Sequence, residues 1–215
     1  MISILIPTRE KLEPLKRTLT AIIENSSNSN NYEILIGVDN DDIKTVDFFK
    51  NMENENIRIF YFERQFYKNV HFYYNNLAKN AKGELLWIFA DDFEISTKNW
   101  DLCLDKYKIM FNYIKVNNIQ SDWDTLFSII PIIPKKWFDL IERISDYSQV
   151  DGWCWAIARE LNIAVYDSSI EVNNFVDANA YLHQNYYKNG YDGPAGTDEL
   201  NSDVLKISNY LKTLK

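Results

Sequence analysis

Two acidic side chains in a row, Asp91 and Asp92, stand where an unbroken apolar run, Leu85 to Phe89, comes to an end. Adjacent carboxylates offer hard oxygen donors. Such a pair suits a divalent cation, which would in turn grip a diphosphate. Position matters as much as type. A short unbroken apolar run reads as a strand buried on both faces, in a parallel sheet covered by helices. Open α/β sheets bind ligands beyond the carboxyl ends of such strands. A second acidic cluster, Asp39 to Asp42, closes the run Glu33 to Val38 in the same way. There a carboxylate, Asp39 first and Asp41 second, can bond a nucleobase N–H or ribose hydroxyls. Thr8 and Arg9 follow the run Ile2 to Ile6 and would line the same pocket, with Arg9 as a charge partner for a diphosphate. The plainer alternative for each is turn chemistry, since Asp and Asn favour turns without any ligand. Arg9 also has Glu10 and Glu13 nearby for ordinary pairing.

These side chains need a framework to bring them together. Ile2 to Ile6 is the first strand, stopped by Pro7. Leu12, Leu15, Leu19, Ile22 and Ile23 recur at helical spacing, and Pro14 near the start of that pattern costs little. A polar loop, Ser26 to Asn31, leads to the second strand, Glu33 to Val38. A helix carrying Val46, Phe49 and Met52, a strand Ile57 to Phe62, and a helix Val70 to Lys82 precede the strand Leu85 to Phe89. This alternation implies right-handed βαβ crossovers and a mostly parallel sheet flanked by helices, a Rossmann-like α/β fold. The second half is less regular. Ser96 caps a helix whose stripe is Trp100, Cys103, Leu104, Tyr107, Phe111 and Ile114. Thr125 to Ile130 reads as a strand, and Trp137, Leu140, Ile141 and Ile144 as a short helix. Asp151-Gly152 opens a helix with Trp153, Cys154, Ile157 and Leu161 inward, and Ile163 to Tyr166 and Ser169 to Val172 are two short strands. Asn189 to Thr197 is a turn-rich loop, and a last helix spans Leu200 to Leu214.

Composition narrows the function classes. The 215 residues carry 31 Asp and Glu against 23 Lys and Arg, a net charge of −8, which argues against a broad nucleic-acid face. Two cysteines, Cys103 and Cys154, lie far apart without metal-ligand spacing and read as thiols of a reducing compartment. The first apolar run is too short for a secretory signal, and no run approaches the ~20 apolar residues of a membrane span. The expectation is a soluble, cytoplasmic, single-domain protein with no integral membrane segment, which leaves a membrane-bound substrate open.

With these residues assembled, the chain resembles the GT-A glycosyltransferases, in particular the large family 2 type. Ile4-Leu5-Ile6-Pro7-Thr8-Arg9 is similar to that family's opening strand and loop, and Leu15, Thr18, Leu19 and Ile22 fit the helix after it. Tyr32 to Asp41 is similar to the second strand and its acidic nucleotide-binding end. Asn76 and Ala81-Lys82-Gly83-Glu84 match the segment leading into the metal motif. The match covers about the first hundred residues and continues more weakly to about residue 198. One departure stands out. The family's metal motif is Asp-X-Asp, and here Ala90 occupies the first position, Asp91 the variable one and Asp92 the second. The resemblance makes Asp92 the leading metal ligand. Ala90 takes away the first residue's ribose and water-mediated contacts, so that either Asp91 substitutes for it or metal binding is weaker. The chain lacks the Gln-X-X-Arg-Trp motif of processive synthases.

The resemblance implies transfer of a sugar from a nucleoside-diphosphate donor, a UDP-sugar by family habit, to a glycan, lipid-linked or small-molecule hydroxyl, with inversion. Residues 1–95 would form the nucleotide-sugar half, 96–198 the acceptor half and 199–215 a terminal helix. Pro7, Thr8, Arg9, Asp39, Asp41 and Asp91 would face the donor. Mn²⁺ or Mg²⁺ would sit on Asp92, with His183 completing the metal site; one imidazole favours Mn²⁺ somewhat. Asp151, at the head of a helix, would be the general base, against the alternative of a helix cap for the N–H of Trp153 or Cys154. Trp153 and Trp155 are either an acceptor-stacking surface or core, and the loop from Gly190 to Thr197 either a lid or a plain connection. Two other classes remain. A nucleotidyltransferase would show a glycine-rich basic loop after the first strand, which Pro7-Thr8-Arg9-Glu10 is not. A non-catalytic nucleotide-sugar or glycan-binding module is compatible with Ala90.

Overall fold

Strand β1 (Ile2–Thr8) lies at the centre of the molecule, with β2 (Tyr32–Asp39) on one side and β4 (Leu85–Ile88) on the other, both parallel to it. Every residue of β2 and β4 is buried, which is why both read as continuous apolar runs rather than alternating ones. Alternation instead assigns successive residues to opposite faces. Ile4, Ile6, Trp87 and Phe89 enter one core with Leu15, Leu19 and Ile22 of helix α1 (Leu12–Asn25). Leu5, Leu86 and Ile88 enter the other with Leu77 of helix α3 (Val70–Asn80). Helix α2 (Ile43–Phe49) and strand β3 (Ile57–Phe62) complete the first half.

The computed structural model describes residues 1–118, 126–175 and 197–214. The eight-stranded sheet has the order β3-β2-β1-β4-β7-β6-β8-β5, with β5 (Phe93–Ile95), β6 (Tyr113–Asn118), β7 (Ile132–Pro134) and β8 (Ala164–Asn174). Pairings among β3, β2, β1 and β4 and between β6 and β8 are parallel, and the remaining three are antiparallel. Helices α4 (Trp100–Cys103), α5 (Lys135–Ile141), α6 (Val150–Leu161) and α7 (Asp198–Lys212) complete the described elements. The α/β class and mostly parallel sheet expected from the sequence are present. Because β2 and β3 lie to one side of β1 and β4 to the other, the strand order reverses between β1 and β4. That switch point is where a ligand crevice opens in such sheets.

Pro7 helps to make the opening. The Leu5 carbonyl accepts from Phe89 N at 3.0 Å, on the β4 side. Two residues on, Pro7 faces the same side, where β4 has already ended and no N–H is required. Strand β1 therefore runs on to Thr8 against β2 instead of stopping at Pro7.

Several second-half expectations are corrected. The stripe from Trp100 to Ile114 is not one helix. It is the four-residue α4, a 3₁₀ turn Asp105–Tyr107 and then β6, because Tyr113, Ile114 and Val116 pair with β8. Ser96 is not its cap, and its hydroxyl accepts from Asn173 Nδ2 at 2.8 Å. Residues 126–130 form no strand; the strand is β7, which begins just after Pro131 and ends on Pro134. The two short strands of residues 163–172 are one strand, β8, interrupted by a register shift opposite Val116 and Asn117.

The start of β4 is fixed by a close approach. Gly83 N donates to Ser3 Oγ at 2.8 Å, and a Cβ at this glycine would lie 2.6 Å from Ser3 N and 2.8 Å from Met1 O. Backbone atoms cannot yield as a side chain would. Gly83→Ala is therefore expected to destabilise the protein by about 1–3 kcal/mol in urea unfolding, as overpacked sites do; an unchanged midpoint would show that the approach is loose.

Candidate functional site

Beyond the parting of β1 and β4, the end of β1 and the loop after it carry one hydroxyl and two cationic side chains toward the acidic strand ends. Thr8, buried at the end of β1, donates its hydroxyl to Asp91 Oδ2 at 2.7 Å and so bridges the split. Lys11 reaches back from the start of α1. Its Nζ lies 3.2 Å from Asp91 Oδ1 and 2.9 Å from Asp92 Oδ2, between the two carboxylates. Arg9 turns the other way, 3.1 Å from Asp39 Oδ2, while it also pairs with Asp41 and, at 3.0 Å, with Glu10. For Arg9 the ordinary pairing with Glu10 read from the sequence is therefore present, alongside the two aspartates. Its Nε is buried without a partner among the described residues, so this guanidinium keeps an unused donor at the crevice.

The strand-end acids are held from below. Asp39 is buried and also accepts the hydroxyl of Tyr73, whose oxygen in turn accepts from Gln65 N at 2.9 Å. Burial and that bond raise the Tyr73 phenol to about 12, so it stays a donor. Asp42 is spent on structure, accepting from Glu10 N at 2.7 Å and capping α2 through Thr45 N. Asp41 is pulled below the usual carboxylate range by the bond from Arg9.

Asp91 is pushed up to about 6, first by burial and then by the adjacent Asp92, with Lys11 and Thr8 opposing. For Lys11 burial lowers the pKa, but the two aspartates outweigh it and hold the ammonium firmly charged. Ala90 is half-buried against the core and offers no oxygen.

Asp151 lies in the first turn of α6, where a carboxylate suits the helix dipole. It is not the cap, which is Gln149; its Oδ1 accepts from Gly152 N at 2.9 Å. It makes no ion pair among the described residues. Burial raises it to about 6. Tyr74 is buried and donates to the Phe89 carbonyl at 2.7 Å. Its phenol is raised first by burial and then by the charges of Asp91, Asp151 and Asp92.

The structure therefore brings together Thr8, Arg9, Lys11, Asp39, Asp41, Asp91 and Asp92 around the switch point, with Pro7 at its edge, and places Asp151 in the first turn of α6. His183 and most of the 190–197 loop lie outside the described residues. Trp153 is core: it is fully buried, stacks on Tyr147 at 5.4 Å and donates to Asp203 Oδ2 at 3.3 Å. Trp155 is half-buried against Tyr113. The sequence reading missed Lys11, Tyr73 and Tyr74. Lys11 had one signal, a cation three residues beyond Thr8 in the loop facing the acidic strand ends, but its partners are 80 and 81 positions away.

Whether the site fits a divalent cation can be judged from its donors. Asp91 and Asp92 present adjacent carboxylate oxygens, and the Lys11 ammonium is already accepted between them as a stand-in cation. The two residues fit the seat of such an ion. Among the described residues no third His, Cys, Asp or Glu joins them.

Solved structures share this fold. TarS of S. aureus, as its 1–349 fragment, matches with TM-score 0.57 at 12% identity, over 80% of this chain and 60% of that one. The same fragment solved in complex with UDP gives TM-score 0.58 at 12% identity, over 82% and 60%. The mannosyltransferase PcManGT from Pyrobaculum calidifontis, solved with GDP-Man and Mn²⁺, gives TM-score 0.65 at 10% identity, over 84% and 58%. This chain thus spans 60% or less of the length of each. No curated protein matches the sequence. The model of glycosyl transferase family 2 matches residues 3–162, most of the 215, and the chain belongs to that family.

Proposed function

We propose that this protein is an inverting, metal-dependent glycosyltransferase that moves a sugar from a nucleoside-diphosphate sugar to a hydroxyl acceptor. One observation carries the reading: beyond the switch point between β1 and β4, Asp91 and Asp92 present adjacent carboxylates beside the Arg9–Asp39 pair, a cation seat next to a nucleoside-binding acid. Fold neighbours solved with UDP, UDP-GlcNAc or GDP-Man support a nucleotide-sugar donor. UDP is our choice of nucleotide, and the acceptor is a glycan, a lipid-linked sugar or a small molecule. Residues 1–95 form the donor half and 96–198 the acceptor half, with 199–215 outside both. Two unpaired cysteines suit a reducing, cytoplasmic setting, and no helix of the described residues is long and apolar enough to cross a membrane.

The chain's own groups divide the work. Asp39, steadied by Tyr73 and Arg9, bonds the nucleoside. Arg9 offers its guanidinium charge to the donor diphosphate. Thr8 fixes the orientation of Asp91. Asp151 takes the acceptor O–H proton while the acceptor oxygen bonds the sugar C1 and the C1–O bond to the diphosphate breaks. The bonding electrons leave with the diphosphate. A divalent cation held by Asp91 and Asp92, when bound, supplies Lewis-acid stabilisation of that charge. Ala90 favours a second reading, a module that binds the donor without turning it over.

Asp151→Asn separates the two. It is expected to keep UDP affinity within about twofold and to cut turnover by about 10²–10⁴. Full turnover in the variant would remove Asp151 from the chemistry, and no turnover in the wild type would favour the module. Turnover in the wild type is expected to fall as pH drops below about 6, where Asp151 takes up its proton. The same shift has a stability consequence. An acid whose native pKa is raised holds its proton more tightly when folded, so the folded state loses stability as pH rises from about 4 to about 6. Asp151→Asn lacks that loss and is expected to be more stable than wild type at pH 8 by up to about 1–3 kcal/mol in urea. A less stable variant at pH 8 would mean that the carboxylate is better solvated than its burial implies.

A further inference from the structure

Resting on that donor-site reading, we infer that Lys11 holds the divalent cation's seat in the donor-free protein and, once displaced, binds the donor diphosphate. The geometry comes first. The Lys11 ammonium sits 3.2 Å from Asp91 Oδ1 and 2.9 Å from Asp92 Oδ2. These are the two carboxylates left at the metal motif, since Ala90 stands at its first position. A metal ion and this ammonium cannot occupy the same oxygens. Nor is it a loose surface pair, because the side chains of Lys11, Asp91 and Asp92 are 25%, 8% and 13% exposed.

Charge says when the exchange happens. Asp39, Asp41, Asp91 and Asp92 face Arg9 and Lys11 around the crevice, four carboxylates against two cations. A diphosphate entering alone meets an acidic wall. A divalent cation entering alone must evict an ammonium that both aspartates hold. Arriving together they cancel: the ion replaces the ammonium on the aspartates, and the freed ammonium meets the incoming phosphate oxygens. Lys11 sits on a flexible four-carbon stem as a compact point charge, the form that suits phosphate. Cation and nucleotide binding are therefore coupled through one side chain, each favouring the other. No covalent step is involved; only ion pairs are exchanged.

The test is a titration of the protein with Mn²⁺ alone, with free Mn²⁺ read by electron paramagnetic resonance, for wild type and Lys11→Met. The expected result is at least tenfold tighter Mn²⁺ binding by Lys11→Met. UDP should tighten Mn²⁺ binding to wild type, do so less in the variant, and bind the variant at least fivefold more weakly at saturating Mn²⁺. Lys11→Arg, which keeps the charge, should retain the weak wild-type Mn²⁺ affinity. Equal Mn²⁺ affinity in wild type and a folded Lys11→Met, or no coupling between UDP and Mn²⁺ in the wild type, would overturn the proposal. If Lys11→Met does not fold, the wild-type coupling decides alone. If Lys11→Met gains Mn²⁺ affinity but neither protein binds UDP or GDP at any Mn²⁺ concentration, the cation seat stands while diphosphate capture and the donor-site reading both fail.

Discussion

Two neighbouring carboxylates at the end of a fully buried strand cannot both stay charged without a cation close by. That constraint organises this molecule. At about 4 Å, two like charges repel by about 4 kcal/mol where the effective dielectric constant is about 20. Burial adds its own penalty, visible in Asp91, which is held near 6 although a lysine and a hydroxyl both bind it. The chain answers with Lys11, brought back across the crevice by the loop that links β1 to α1. A site that must be neutralised by its own lysine in one state can exchange that lysine for another cation in a second.

The fold's role is to bring distant stretches to this point. Parallel packing of β1 against β2 and β4 puts three strand ends side by side. Pro7 lets β1 outrun β4, which separates the two ends, and Thr8 then spans the gap to Asp91. At the opposite end of the same strands, Gly83 and buried Glu33 lock the register. Glu33 accepts from Ser3 Oγ at 2.7 Å and Lys82 N at 2.6 Å, and pairs with Arg58 at 2.9 Å. The second half contributes α6, which carries Asp151 in its first turn. That helix is anchored by Trp153, whose indole shares Asp203 of α7 with Arg143. An anchored α6 keeps Asp151 in its desolvated position, which sets both its basicity and its cost.

The sequence was most legible where burial is simplest. Strands covered on both faces leave unbroken apolar runs, and the acids that follow β2 and β4 mark the strand ends without ambiguity. Thr8, Arg9, Asp39, Asp41, Asp91 and Asp92 could be grouped from that alone. The second half was less legible because pairing partners, not local pattern, decide it. Trp100, Cys103, Leu104 and Tyr107 keep a helical period, yet β8 takes Tyr113 to Asn118 into the sheet. A three-residue strand that follows Pro131 and ends on Pro134 gives no periodicity to read. Lys11 was hidden for the same reason at the level of a single side chain. In sequence it is one more charge in a loop; its meaning depends on acids 80 residues away.

Incubation with a panel of nucleotide sugars, followed by mass spectrometry of the nucleotide and sugar products, tests the central claim most directly. The account predicts free nucleoside diphosphate from one donor class, with the sugar moved to an acceptor hydroxyl or to water, and loss of that product when Asp39 is replaced by Ala. Release of pyrophosphate, or no turnover of any donor by folded protein, would contradict it.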